Sequence, residues 1–197
     1  MKKDFSEIVC IIDRSGSMGS IKTDAIGGFN TFLEEQKKLP GDATLTYVQF
    51  DTDYEVVHEN TPIQTVLPID DKTYQPRGMT ALLDAIGRTI EDVGRRLSNI
   101  PEELRPSKII FAILTDGEEN SSRKYDLPKV KEMIKLQKES YQWEFIFLGA
   151  NQDAFAEAAK IGIDAKDAFN YAATGKGVRA AYSNMSASMA SYRRHDP

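Results

Sequence analysis

The sequence predicts an α/β fold: a doubly wound, mostly parallel central sheet of about six strands, with helices on both faces and one antiparallel edge strand. Three observations carry this. Short apolar runs recur without polar alternation, stripes of helical period follow them, and two strand-like segments stand only three residues apart.

The apolar runs are IVCII (Ile8 to Ile12), IIFAIL (Ile109 to Leu114) and FIFL (Phe145 to Leu148). A strand with one wet face alternates apolar and polar residues. These do not, so both faces must be covered, as in a parallel sheet between helical layers. The stripes fall between and after them. Ile21, Ala25, Phe29, Phe32 and Leu33 share one helical face, as do Leu82, Ile86, Ile90, Val93 and Leu97. Leu127, Val130 and Ile134 repeat the pattern, then Phe155, Ala158 and Ala159. Strand then helix, repeated, is the pattern of a doubly wound fold. TLTYVQF and YEVVHE are separated only by Asp51, Thr52 and Asp53, so those two strands pair antiparallel at an edge. Thr61 to Gly78 holds three prolines and reads as a surface connection. The Ala-, Ser- and Met-rich stretch at about 174–195 reads as a last helix that either packs on the sheet or serves as an extension that docks a partner.

With 197 residues, the chain suits one domain, 1–197, able to bury a sizeable core. Hydrophobic residues at 41% and charged residues at 28% are an ordinary globular balance. The net charge of -5 and pI near 5.2 argue against a nucleic-acid partner, which would call for a basic surface. The lone cysteine, Cys10, lies inside an apolar run and reads as a small buried hydrophobe. No apolar stretch approaches the ~20 residues of a membrane span, and the amino-terminal segment has no signal-peptide core. The expectation is a cytoplasmic protein without membrane contact, in which the sequons at Asn120 and Asn184 carry no glycan.

The chemistry concentrates in DRSGSMGS, directly after the first apolar run. Asp13, Ser15 and Ser17 fall at i, i+2 and i+4 in the turn between strand and helix. They offer oxygens and neither sulfur nor imidazole, the donor set preferred by Mg²⁺, Mn²⁺ or Ca²⁺. Gly16 and Gly19 are expected to let the backbone fold tightly there.

This D-x-S-x-S segment, placed between a buried strand and a helix, resembles the metal-ion-dependent adhesion site (MIDAS) of von Willebrand factor A-type (VWA) domains. That family adds a threonine from a loop preceding a later helix, and GMTALLDAI offers Thr80. It adds an aspartate at the end of the fourth strand, and IIFAILTDGEEN offers Asp116. Taken singly, Thr80 reads as well as a helix N-cap and Asp116 as a turn residue. The resemblance runs from about Phe5 to at least Leu148, and no ligand position is missing. It implies a Rossmann-like fold and a small single-domain member of prokaryotic or phage type. It also implies that Ser15, Ser17 and Thr80 bind the metal directly, while Asp13 and Asp116 act through water. A divalent cation so held, Mg²⁺ first and Mn²⁺ or Ca²⁺ next, keeps an open position that a partner protein's Glu or Asp can fill. An AAA+ ATPase or another scaffolded complex is a partner class the resemblance suggests. Around this centre, Arg14, Arg77, Glu118 and Glu119 are candidate rim residues that meet the partner, or else solvated loop residues.

Other chemistries fit less well. GSMGSIKT has Ile21 where a phosphate-binding loop needs glycine. A serine-hydrolase elbow would need glycine where Ser15 stands, and only His58 and His195 could serve as base. One cysteine excludes a Cys-based zinc site. Two alternatives stay open: a scaffold subunit docking through its last helix, and a Mg²⁺-dependent phosphatase using Asp13, for which Ser15 stands where a second aspartate is usual.

Overall fold

In the computed structural model, which describes residues 1–150 and 153–194, strands and helices alternate except at one pair of consecutive strands. The order is β1 (Lys2–Asp13), α1 (Lys22–Lys37), β2 (Asp42–Phe50), β3 (Tyr54–Pro62), α2 (Leu82–Ser98), β4 (Pro106–Thr115), α3 (Leu127–Tyr141), β5 (Glu144–Ala150), α4 (Ala154–Lys160), β6 (Ala168–Tyr171) and α5 (Gly175–Arg194). The sheet runs β3-β2-β1-β4-β5-β6, parallel throughout except for the antiparallel edge pair β2–β3.

The uninterrupted apolar runs are explained by two cores. Ile8, Cys10 and Ile12 of β1 face α1 and α5, while Val9 and Ile11 face α2, α3 and α4. The period of two along the strand sends neighbours to opposite faces, and both faces are covered. On α2 the expected stripe is buried in full, from Leu82 to Leu97. On α5, Val178, Ala181, Tyr182, Met185 and Met189 are buried in the first core beside α1.

The structure amends the sequence expectations in places. The face of α4 is Ala154, Ala158 and the following Ile161, whereas Phe155 is 46% exposed and Ala159 is exposed. Asp153 caps this short helix and sets its phase, so the apolar face starts one residue earlier. On α3, Leu127 is exposed and Met133 joins Val130 and Ile134 in the core. The Thr61–Gly78 connection is more than surface: it buries Ile63, Val66, Ile69 and Tyr74 against α1. Asn30 of α1 bonds both backbone groups of Ile69, at 2.9 Å each. No described helix is long and apolar enough to cross a membrane. His195 lies outside the described residues.

Strand order reverses between β1 and β4. The chain winds outward from β1 through β2 and β3, then crosses to β4 on β1's other side. Connections leave in opposite directions at that point and open a crevice at the carboxyl ends of the strands. Asp13 closes β1, and Asp116 follows the last residue of β4.

Candidate metal centre

Asp13 ends β1 opposite Phe50 of β2 and is fully buried. Its Oδ1 accepts from the Ser15 amide at 2.6 Å, folding the chain back at once. Residues Gly16–Ile21 then make a 3-10 turn, anchored by the buried Met18. Ser15 Oγ and Ser17 Oγ come to 3.1 Å of each other. Neither Gly16 nor Gly19 takes a positive φ, so the tight turn does not depend on glycine in the way expected.

The second loop supplies Thr80. Gly78 takes φ +67, and a Cβ there would stand 2.9 Å from Thr52 Oγ1, so only glycine fits. The loop lies along the first one: the Gly16 amide donates to Gly78 O at 3.2 Å and the Arg77 amide to Arg14 O at 2.8 Å. Thr80 is not a cap, because α2 begins at Leu82 with no side-chain cap at Ala81. Its amide donates to Asn120 Oδ1 at 2.9 Å, and its carbonyl accepts from the Asn120 amide at 3.0 Å. Among the described residues its hydroxyl makes no hydrogen bond, although Thr80 is only 3% exposed.

The third segment brings Asp116. Its Oδ1 accepts from Ser17 Oγ at 2.7 Å, which joins the first and third segments directly. Thr115, just before it, donates its hydroxyl to Asp13 Oδ2 at 2.6 Å. Two buried tyrosines brace the strand ends from below. Tyr74 donates to Asp13 O at 2.6 Å and Tyr171 to Thr115 O at 3.1 Å. Gly117 completes the floor: a Cβ there would lie 3.3 Å from Thr80 Oγ1 and 4.0 Å from Ser17 Oγ. The space among these oxygens is therefore space that a side chain at 117 would take.

The electrostatics favour a cation. Burial raises the Asp13 carboxyl from an ordinary 3.8 to about 6, against the opposing bonds from Thr115 and Ser15, and Asp116 nearby adds to the rise. Burial also raises Asp116, opposed by its bond from Ser17. Among the described residues no Lys or Arg pairs with either carboxylate. Nor does any group of three or more His, Cys, Asp or Glu side chains stand ready to hold an ion. The available donor set is three hydroxyls and two carboxylates, which suits a hard divalent cation and not a thiolate or imidazole metal.

The candidate rim residues separate. Arg14 is buried and turned from the crevice, with Nε on Asp51 Oδ2 at 2.9 Å and Nη1 on Gln49 and Glu55. It does not meet solvent, because Asp51 and Glu55 neutralise it inside the β2–β3 hairpin. Glu119 is also committed. It accepts from the amides of Leu83, Ser121 and Ser122 and from Ser122 Oγ, so it serves the first turn of α2 in place of a local cap. Glu118 is exposed, with no hydrogen bond among the described residues. Arg77, its side chain 58% exposed, stays at the rim, held by Asp51 and Asp53.

Sequence reasoning passed over Thr115, Gly117, Asn120 and Asp51. Gly117 adjoins Asp116 in TDG, and that adjacency was the one available signal. Asn120 was visible only as a sequon, and its bonds to Thr80 arise from tertiary folding.

No family model matches the chain, and no curated protein matches it. Solved structures do. The vWF domain of the type V pili tip protein Mfa5 from Porphyromonas gingivalis matches with a TM-score of 0.68 at 11% identity, covering 98% of this chain and 97% of that one. Proximal thread matrix protein 1 from the mussel byssus, with a zinc-occupied MIDAS motif, matches at TM-score 0.62 and 15% identity, covering 94% of this chain and 46% of that one. The ArnB paralog VWA2 from Sulfolobus acidocaldarius matches at TM-score 0.57 and 20% identity, covering 88% and 43%. The chain thus spans less than half the length of the last two. At these identities the likeness is one of fold, and that fold is the Rossmann-like fold of von Willebrand factor type A domains.

Proposed function

We propose that this chain is a protein-interaction module that binds an acidic side chain of a partner through a divalent cation, Mg²⁺ first among candidates. Ser15, Ser17 and Thr80 would hold the ion through their hydroxyl oxygens, with Asp13 and Asp116 behind them, acting through water. The ion supplies a Lewis-acidic centre with a position left for the partner's carboxylate.

One observation carries the reading most. The hydroxyls of Ser17 and Thr80 flank Gly117, Ser17 bonds both Ser15 and Asp116, and no basic side chain pairs with Asp13 or Asp116 among the described residues. The division of labour has support as well. Both oxygens of Asp13 already accept hydrogen bonds, which suits a supporting role, whereas Thr80 Oγ1 is unspent. A zinc-occupied MIDAS motif in the mussel protein of similar fold points the same way.

The same bonds weigh against the phosphatase alternative, since the Asp13 carboxylate is buried and doubly engaged and not presented as a nucleophile. Docking through α5 loses support because its apolar face is buried in the core. Arg77 and Glu118 are the rim residues left to meet a partner. The expectations of a cytoplasmic location and of AAA+ ATPases as one partner class accompany this reading.

Affinity capture tests it. Partner retention should require Mg²⁺, be lost with EDTA, and be lost with Asp13→Ala when Mg²⁺ is present. Retention that survives both treatments overturns the metal-dependent reading.

A further inference from the structure

The two loops that carry the hydroxyls meet directly in two backbone bonds, Gly16 N to Gly78 O and Arg77 N to Arg14 O. The turn between β2 and β3 ties them together a second time. Phe50 O accepts from the Arg14 amide at 2.8 Å, and Asp51 O accepts from the Ala81 amide at 3.0 Å. Thr52 Oγ1 accepts from the Met79 amide at 3.0 Å. One turn thus touches the chain beside Asp13 and Ser15 and the chain on both sides of Thr80.

The side chain of Asp51 tightens this link. It is 1% exposed, and its Oδ2 accepts from Arg14 Nε at 2.9 Å and from Arg77 Nε at 3.1 Å. Its Oδ1 accepts from the Asp53 amide at 2.6 Å, which fixes the turn itself. Arg14 belongs to the first loop and Arg77 to the second. One buried carboxylate oxygen therefore bridges two guanidinium groups, one from each loop, in charge-assisted bonds. The same contact keeps both positive groups drawn toward the hairpin, away from Asp13 and Asp116.

We propose that Asp51, which contacts none of the ion's prospective ligands, is the positioning residue that sets the Ser15–Ser17 loop against the Thr80 loop. The assignment rests on reading the crevice as a cation centre. Metal–ligand distances tolerate only about 0.2 Å, so a loose joint between the two loops would weaken the centre without unfolding the domain.

The test uses the intact chain and four proteins: wild type, Asp51→Asn, Arg77→Gln and Val93→Ala. Val93 is buried on α2, away from the turn, so its substitution lowers stability without touching the joint. Mg²⁺ affinity is measured by calorimetry at 25 °C, and amide exchange of Gly16 and Ala81 is measured without metal. Loss of supporting residues around a metal typically weakens binding about 10–100-fold. Asp51→Asn should bind Mg²⁺ at least tenfold more weakly, Arg77→Gln a few-fold more weakly, and both should exchange the two amides faster. Val93→Ala should match wild type in both. Wild-type affinity and exchange in a folded Asp51→Asn overturn the assignment. If Asp51→Asn does not fold, Arg77→Gln decides by the same two readouts. If wild type itself takes up no ion, the cation reading fails, and the exchange measurement alone judges whether Asp51 joins the loops.

Discussion

Thr115 Oγ1 donates to Asp13 Oδ2 at 2.6 Å, so the residue ending β4 orients the carboxylate ending β1. The bond spans the point where strand order reverses. It leaves Asp13 with both oxygens engaged, the other by the Ser15 amide.

Thr115→Val keeps the shape and removes that donor. A buried acceptor left unpaired costs about 1–3 kcal/mol, so thermal or denaturant unfolding should show a loss of that order. Divalent-ion affinity should fall roughly tenfold, as expected for a residue that orients a ligand from behind. Calorimetric titration reads the second effect, and unchanged affinity would remove Thr115 from the centre.

Gly117→Ala separates the site from the fold. Its φ is ordinary, so the backbone accepts a side chain, but the Cβ would stand 3.3 Å from Thr80 Oγ1. Thr80 must then shift by a few tenths of an ångström. The expected result is a melting temperature close to wild type without metal, with divalent-ion affinity weaker by about tenfold. A variant that binds as wild type would show that the space beside Gly117 is not the ion's.

If the proposed centre binds a cation, proton and metal should compete for Asp13. Its carboxyl stands near 6 in the folded chain against an ordinary 3.8. Without metal, the folded state holds a proton between those values that the unfolded chain has released. This carboxyl's contribution to stability is thus present in full below about 3.8 and is lost as pH rises through about 6. With saturating Mg²⁺ the order reverses, because the ion needs the ionised form. Apparent Mg²⁺ affinity should hold above about pH 6 and decline up to ~tenfold per pH unit below it, one proton being displaced per ion. Melting temperature against pH, with and without Mg²⁺, checks the crossing trends. Parallel curves would contradict them.

Much of this molecule was legible before any coordinates. The runs at Ile8 and Ile109 gave parallel strands buried on both faces, and the three-residue gap after Phe50 gave the antiparallel edge. The spacing of Asp13, Ser15 and Ser17 marked the first loop, since alternate residues after a strand end share one side of the turn. What escaped depends on tertiary contacts. Arg14 sits beside Asp13 in sequence and looked free, yet Asp51 and Glu55 claim it from another strand. Glu119 looked like a charge on an open rim, yet it satisfies the first turn of α2. Phe155 suggested a stripe, but Asp153 sets the phase of a helix too short for periodicity to settle. The strand β6 is four residues long and carried no readable run.

Cation binding by these oxygens is tested most sharply by calorimetric titration of Mg²⁺ and Mn²⁺ into the intact chain and into Thr80→Val. Thr80 contributes a hydroxyl with no hydrogen bond among the described residues, so its loss would remove a proposed ligand and little else. One ion per wild-type chain is expected, with affinity weaker by an order of magnitude or more in the variant. No uptake by wild type, or equal uptake by both, would contradict it.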